Sequence, residues 1–535
     1  MNSSKKRIAY FCMEFGLDEK LPIYAGGLGI LAGDILKTAR EQELPIVGIG
    51  ILWRQGYTWQ QINNSGQPYD SYPRNDYIYD YLKDTGVKVT VKIRDRKVRV
   101  KVWKLTCFAN APLYLLDTNL EKNKANSWIT GQLYGWFEEE RIAQEIVLGV
   151  GGIRALRKLG LDIDIYHFNE GHAALAGLEL IKEEMEKGLN FAKAWQKTQE
   201  KVVFTTHTPI KEGNESHSLK TMEYMGACNG LSLEQMVKIG DAPFNMTVAG
   251  LRLSRIANGV SHLHGNTARS MWEDITDRSP IISITNGIHR QSWVDNRIIE
   301  AYEKEDDLWP VHQQIKQELV NLVEEKTETR LKIDKLLIGF ARRAAPYKRS
   351  DLIFHKPEII ETYLENGDIQ IIFAGKAHPL DDTGKEIVAT LIEMMKKYPE
   401  SVVFLENYDM EIGRMLTRGS DIWLNNPRRP LEACGTSGMK AAMNGVLNLS
   451  ILDGWWPEAC RHGINGWQFG NGYEGKDQDK HDLKSLYRVL LEEVLPLYYN
   501  NKDSWTEMMN QSIKTTYEPY SASTMLENYY QELYK

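Results

Sequence analysis

Cysteine is scarce in this chain: five residues in 535, widely spaced and odd in number. That excludes a disulfide framework. With no C-x-x-C pair there is no thiolate metal site to propose, and no metal is expected. Long apolar runs are missing as well. None approaches the ~20 residues of a membrane helix. The N-terminal MNSSKKRIAYFCMEFG has only a four-residue apolar patch before Cys12, too short for the core of a signal peptide. The expectation is a cytoplasmic protein that meets no membrane. Positive charge is not in excess: 65 Lys+Arg against 72 Asp+Glu leave a net charge of -7. Nucleic acid is therefore a poor partner, and any anionic ligand must be met by a local cluster of positive groups. Internal repeats and low-complexity segments are absent too.

What is present is ordinary globular composition, 42% hydrophobic and 26% charged. A single core rarely serves more than about 250–300 residues, so two large domains are expected. Short apolar runs recur between helical periods. Strand-like runs are Arg7 to Met13, Pro45 to Trp53, Ile163 to Phe168, Val202 to Thr206, Leu336 to Phe340, Ile369 to Ala374, Val402 to Leu405, Ile422 to Leu424 and Leu447 to Leu452. Many are continuously apolar, as strands covered on both faces are. Gly171 to Lys187 and Lys385 to Lys397 read as helices. The repetition argues for parallel sheets wrapped by helices. Val87 to Thr106 instead alternates polar and apolar residues, like a solvated antiparallel hairpin. The polar stretch around Glu303 to Asp307 suggests a boundary, giving domains 1–300 and 301–535. Ala522 to Tyr534 reads as a helix that crosses back to the first domain. Two open α/β domains of this kind place ligands at the carboxyl ends of their strands, in the cleft between them.

Four groups of residues stand out. Gly26-Gly27-Leu28-Gly29 lies between a predicted strand and a helix, where backbone N–H groups approach an anion closely. Its spacing is neither a Walker loop nor GxGxxG, and a plain tight turn is the alternative. Arg342, Arg343, Lys348 and Arg349 follow the strand ending at Phe340; such side chains clamp phosphate, or form a solvated basic turn, and not all four need point inward. Glu432 precedes Gly435-Thr436-Ser437-Gly438, a second anion nest made of backbone amides and two hydroxyls. Lys440 sits one turn inside the helix that follows. A lysine beside a phosphate nest, sheltered by Met439, Ala441 and Met443, suits covalent attachment of pyridoxal phosphate; a surface lysine is the alternative. Finally, His172, His207, His264 and Asn286 sit in loops after strand-like runs. His167 and His172 are conceivable metal ligands, though His167 lies within a strand. Trp53, Trp136, Trp423, Trp455 and Trp456 are candidates for stacking on sugar faces, or core aromatics.

In order along the chain, YFCMEFG, YAGGLGILAGD, FNEGHAALA, TTHTPIKEG, NGVSHLHG, ITNGIHRQSW, RRAAPYKR, FLENYDM, EACGTSGMKAAMNG and LSILDGWW resemble the glycogen/α-glucan (maltodextrin) phosphorylase family. The resemblance implies a GT-B fold, two Rossmann-like domains facing across a cleft. It implies reversible phosphorolysis of an α-1,4-glucan (glycogen, starch or maltodextrin) by inorganic phosphate, giving α-glucose 1-phosphate with retention. The cofactor implied is pyridoxal 5'-phosphate on Lys440, its phosphate acting as proton donor and acceptor. By the same resemblance Gly27 offers its N–H to the substrate phosphate, and Arg343 and Lys348 bind that phosphate. Arg342 lies near the cofactor phosphate and Tyr347 touches that region, with Gly435, Thr436, Ser437 and Gly438 around the cofactor. His207 turns its carbonyl to the anomeric carbon. Asn286, Glu432 and Gly435 meet sugar hydroxyls, and Glu170 and His172 lie near the glucan path. Cys434 replaces the family's usual serine, and Ser437-Gly438 its usual Gly-Asn; both keep small residues. The chain resembles the short bacterial and archaeal members, so neither regulatory phosphorylation nor nucleotide activation is expected, and a homodimer is. A nucleotide-sugar-dependent glucan synthase of the same fold would leave Lys440 without a role. A non-catalytic glucan-binding protein would be expected to have lost one of the phosphate clamps.

Overall fold

The computed structural model describes residues 5–535. Residues 1–4, the start of the segment read above as too short for a signal peptide, lie outside the described residues. No helix among them is long and apolar enough to cross a membrane.

The chain divides into two compact units. The first comprises residues up to Tyr57, Tyr72–Thr285 and Met525–Lys535; the second comprises Thr58–Ser71 and Asn286–Thr524. Both are α/β units built on parallel strands, the class expected, and a chain of two such units is of the GT-B type.

The first unit holds a nine-stranded sheet. Its order is Ile281–Ser283, Ile256–Gly259, Val202–Thr205, Ile165–Asn169, Ile8–Phe11, Ile46–Ile51, Leu113–Asp117, Arg96–Leu105 and Lys83–Ile93. The first seven run parallel, and the last two form an antiparallel hairpin at the edge. Every residue of Ile8–Phe11, Ile165–Asn169 and Val202–Thr205 is buried, because both faces of the sheet are covered there. The hairpin instead alternates buried Val98 and Val100 with exposed Lys97 and Arg99, since one of its faces meets water. It extends the sheet rather than sitting beside it: Trp103 pairs with Leu115.

The second unit has six parallel strands, ordered Val402–Leu405, Ile369–Ala374, Leu336–Ala341, Ile422–Asn425, Leu447–Ile451 and Gly466–Phe469. Its core joins these strands to flanking helices through Ile338, Phe340, Phe373, Leu424, Leu486 and Trp505. A hairpin from early in the chain, Trp59–Ile62 with Pro68–Ser71, belongs to this unit. Gln60 exchanges two hydrogen bonds with the Ala377 backbone, and Asp70 pairs with Lys385 at 2.9 Å.

In each sheet the chain first builds outward on one side of a central strand and then returns to the other. The reversal lies between Ile8–Phe11 and Ile165–Asn169 in the first unit, and between Leu336–Ala341 and Ile422–Asn425 in the second. Loops leaving the carboxyl ends of strands diverge at such a switch point and leave room for ligands.

Candidate active site

At the first switch point, the chain leaves Ile8–Phe11, turns through Glu14, and enters the helix Gly27–Glu41 with Gly26 as its N-cap. The expected glycine loop is thus a helix N-terminus, and its glycines do different work. A Cβ at Gly26 or Gly27 would meet no protein atom within 4 Å, whereas one at Gly29 would fall 2.7 Å from Glu14 Oε2 and one at Gly33 only 1.9 Å from the Gly16 carbonyl. Gly29 and Gly33 serve packing; Gly26 and Gly27 face open space.

Across the switch, Glu170 leaves the next strand with φ 71°. Its Oε1 accepts the His207 N–H at 2.5 Å and the Thr208 hydroxyl at 3.0 Å, and Oε2 accepts the Gly171 N–H at 3.1 Å. Burial pushes this carboxyl up, against those donors. Glu170 therefore braces the loop that carries His207. The His207 Nε2 lies 2.6 Å from Asn169 Oδ1, and burial lowers its imidazole to about 3, so the ring is neutral at pH 7. His172 is likewise lowered to about 4, by burial and then by Arg141. His264 is buried and accepts the Val260 N–H at 3.2 Å. His167 is spent on structure: its nitrogens lie 2.7 Å from the Tyr534 and Thr205 hydroxyls. Glu145, Glu215 and His217 come together nearby with metal-ligand spacing. Arg141 already holds Glu215 through two hydrogen bonds, of 2.7 and 2.6 Å, so a cation occupies that cluster.

At the second switch point stand the basic residues. Glu432 accepts from both Arg342 and Lys348, and Arg342 also donates to Asn425. Burial pushes the Glu432 carboxyl up, but Lys348 and then Arg342 outweigh it and hold it at about 2. Two cations on one carboxylate leave net positive charge, to which the exposed Arg343 adds. The Lys348 ammonium lies 4.7 Å from the Tyr347 ring. Arg349 turns away: its guanidinium binds the Asn426 and Pro427 carbonyls and the carboxylates of Asp479 and Asp482, all at 2.7–2.8 Å. It is a structural clamp.

The helix Thr436–Met443 begins after Gly435, whose φ of 82° favours glycine. Ser437 Oγ accepts from Trp423 Nε1 at 3.3 Å. A Cβ at Gly438 would lie 2.7 Å from Asn448 Oδ1 and 3.0 Å from Trp455 Nε1, so no side chain fits there. Lys440 is only 7% exposed, with its ammonium 3.2 Å from the centroid of the Trp293 ring. Asn444 ties the two together, donating to the Trp293 carbonyl at 3.1 Å and the Lys440 carbonyl at 2.8 Å. Among the described residues, Arg342 Nε and Asn286 Oδ1 are buried with no hydrogen-bond partner in the protein. Asp453 accepts the Glu432 and Gly454 N–H groups at 2.9 and 2.8 Å. Burial, reinforced by the Glu432 charge against those donors, pushes its carboxyl up to about 7.

Trp293, Asn425, Asp453 and Glu14 have no signal in spacing that would single them out. Of the five tryptophans considered for sugar stacking, Trp53, Trp423, Trp455 and Trp456 are buried in packing, while Trp136 remains 44% exposed.

The sequence profile of the family described as carbohydrate phosphorylase matches residues 296–462, the stretch that holds Arg342, Arg343, Lys348, Glu432, Gly435 and Lys440. Over 98% of its length the chain is 37% identical to a maltodextrin phosphorylase of Thermococcus litoralis, covering 70% of that protein. It is 35% identical to a glycogen phosphorylase of Aquifex aeolicus over 99% of the chain and 86% of the relative. An uncharacterized protein of Methanocaldococcus jannaschii is 36% identical over 99% of the chain and its own full length. Two parallel-sheet units with cationic and glycine-rich switch points define a glycosyl-transferring enzyme of the phosphorylase class. The chain belongs to the carbohydrate phosphorylase family.

Proposed function

We propose that this phosphorylase splits α-1,4-glucan with inorganic phosphate, reversibly, to α-glucose 1-phosphate with retention, and that pyridoxal 5'-phosphate is held on Lys440. The observation that carries the cofactor assignment is the setting of Lys440: a buried amine against Trp293, in a helix whose N-terminus follows the left-handed Gly435. Arg342, with its buried Nε unpartnered among the described residues, fits an anionic group there. Lys440, Arg342, Gly435, Thr436, Ser437 and Gly438 would hold the cofactor. When bound, it supplies a phosphate able to give and take a proton near neutral pH.

The protein's share is electrostatic and positional. From the second unit, Arg343 and Lys348 would bind the substrate phosphate, offsetting the repulsion between two anions. Glu432, kept ionised, would accept from sugar hydroxyls while fixing Lys348 and Arg342 in place. Asn286 and the Gly435 backbone would meet further hydroxyls, with Tyr347 beside them. From the first unit, the Gly27 N–H would serve the substrate phosphate. The main-chain carbonyl of His207 would ease charge developing at the anomeric carbon, its loop held by Glu170. His172 would line the glucan path. A cytoplasmic location goes with this reading, and so, on the family resemblance, does a homodimeric state.

The test is release of glucose 1-phosphate from maltodextrin plus phosphate, with the near-ultraviolet and visible spectrum recorded on the same sample. Wild type is expected to be active and to carry a chromophore removable by hydroxylamine; K440A is expected to lose both. Wild-type turnover by K440A without added pyridoxal compound would overturn it.

A further inference from the structure

We infer that Glu14 is a positioning residue for the substrate phosphate: its carboxylate pins the backbone entering the helix Gly27–Glu41, so that the N–H of Gly27, not those before it, is presented to the anion. The inference rests on the reading of Gly27 given above.

Glu14 is 4% exposed and follows the central strand of the first sheet. Its Oε2 accepts the N–H of Ala25 at 2.5 Å and of Gly26 at 3.0 Å. Its Oε1 accepts the Tyr134 hydroxyl at 2.6 Å. The carboxylate reaches this position because residue 29 is glycine; a Cβ there would lie 2.7 Å from Oε2. Tyr134 in turn is held in the left-handed region, with φ 62°, a conformation that persists in a bulky residue only when its surroundings enforce it. The Arg141 guanidinium lies 4.7 Å from its ring.

Two donors at the mouth of the helix are thus consumed by the protein itself. The first-turn N–H groups of Gly27, Leu28 and Gly29 have no intrahelical acceptor, and the helix dipole makes them attractive to an anion. A Cβ at Gly26 or Gly27 would find no atom beyond its chain neighbours within 4 Å, so the space on that side is open. Electrostatics alone opposes this arrangement, because a carboxylate next to an incoming phosphate repels it. Its presence is explained if holding the backbone outweighs that repulsion.

The two effects have opposite signs in experiment. Positioning predicts that E14A raises the KM for phosphate about tenfold or more while the KM for maltodextrin stays within about twofold, the pattern of a lost interaction with one substrate. E14Q, which keeps one acceptor oxygen, and Y134F, which loses one hydrogen bond, should fall between wild type and E14A. The rise in thermal midpoint given by inorganic phosphate alone should shrink in the same order. A phosphate KM unchanged or lowered in E14A, or both KM values raised alike, overturns the inference. Should E14A not fold, E14Q and Y134F decide on the same criteria. A wild type that releases no sugar phosphate would sink the phosphorolysis reading by itself, while the thermal-shift order would still decide the role of Glu14.

Discussion

Lys348 and Glu432 form an ion pair withdrawn from water, each side chain 11% exposed. The Glu432 carboxyl is depressed from an ordinary value of 4.5 to about 2. A depressed carboxyl contributes stability that is present above its unfolded value and lost as pH falls through the folded one. E432Q, which leaves Lys348 and Arg342 facing a neutral group, should cost about 3 kcal/mol at pH 7. Urea unfolding of wild type and variant should show the gap closing below about pH 4. A gap independent of pH would mean that charge is not the source.

Asp453 should behave in the opposite sense. Its carboxyl is raised from 3.8 to about 7, so the folded state holds a proton that the unfolded state has lost. That contribution is complete below 3.8 and disappears as pH rises through about 7. Wild type should therefore lose stability relative to D453N between those values, by on the order of 4 kcal/mol. Unfolding curves at pH 4.5, 6 and 8 would show it; parallel trends would refute the raised value.

Gly27→Ala separates folding from ligand approach. The added methyl meets no protein atom within 4 Å, and alanine in a helix is worth up to about 1 kcal/mol over glycine. The thermal midpoint should hold or rise, while the phosphate KM rises about tenfold, a loss of 1.4 kcal/mol. An unaffected KM would remove Gly27 from the phosphate site.

The buried cluster under the second sheet tests stability alone. Asp421, fully buried, binds Lys316 at 2.6 Å, His312 at 3.0 Å and the Leu337 N–H at 2.8 Å. Burial pushes its carboxyl up, but Lys316 and His312 more than reverse this. D421N strands the Lys316 ammonium and should cost about 3–5 kcal/mol, part of it recovered in the double variant with Lys316→Met. Denaturant midpoints of the single and double variants measure both.

Much of the architecture could be read from the amino-acid order because its strands announce themselves physically. Val402–Leu405 is an unbroken apolar run since both its faces are covered, and the hairpin Lys83–Leu105 alternates since one face is wet. Ile256–Gly259 escaped, being short and carrying a polar residue: Asn258 is tolerated inside because its Oδ1 accepts the Thr205 hydroxyl at 2.6 Å. The same logic divides the site. Arg342, Lys348, Glu432 and Lys440 lie in compact motifs whose chemistry is local. Glu14 is invisible that way, because its meaning depends on Tyr134, 120 residues later. Arg349 looked like its neighbours in a basic run, yet its direction is set by carbonyls and carboxylates 77–133 positions away.

The hairpin Trp59–Ile62 with Pro68–Ser71 leaves its mark on biosynthesis. Gln60 meets its partner at Ala377 only after 317 further residues, which at translation rates of roughly 5–20 residues per second is a delay of about 15–60 s. During that interval two short strands, with the exposed rings of Trp59 and Tyr69, have no sheet to dock against. Cutting the gene between residues 285 and 286 would therefore separate the second unit from a piece of itself, and co-expressed halves should reassemble only if the early fragment can hand that hairpin across.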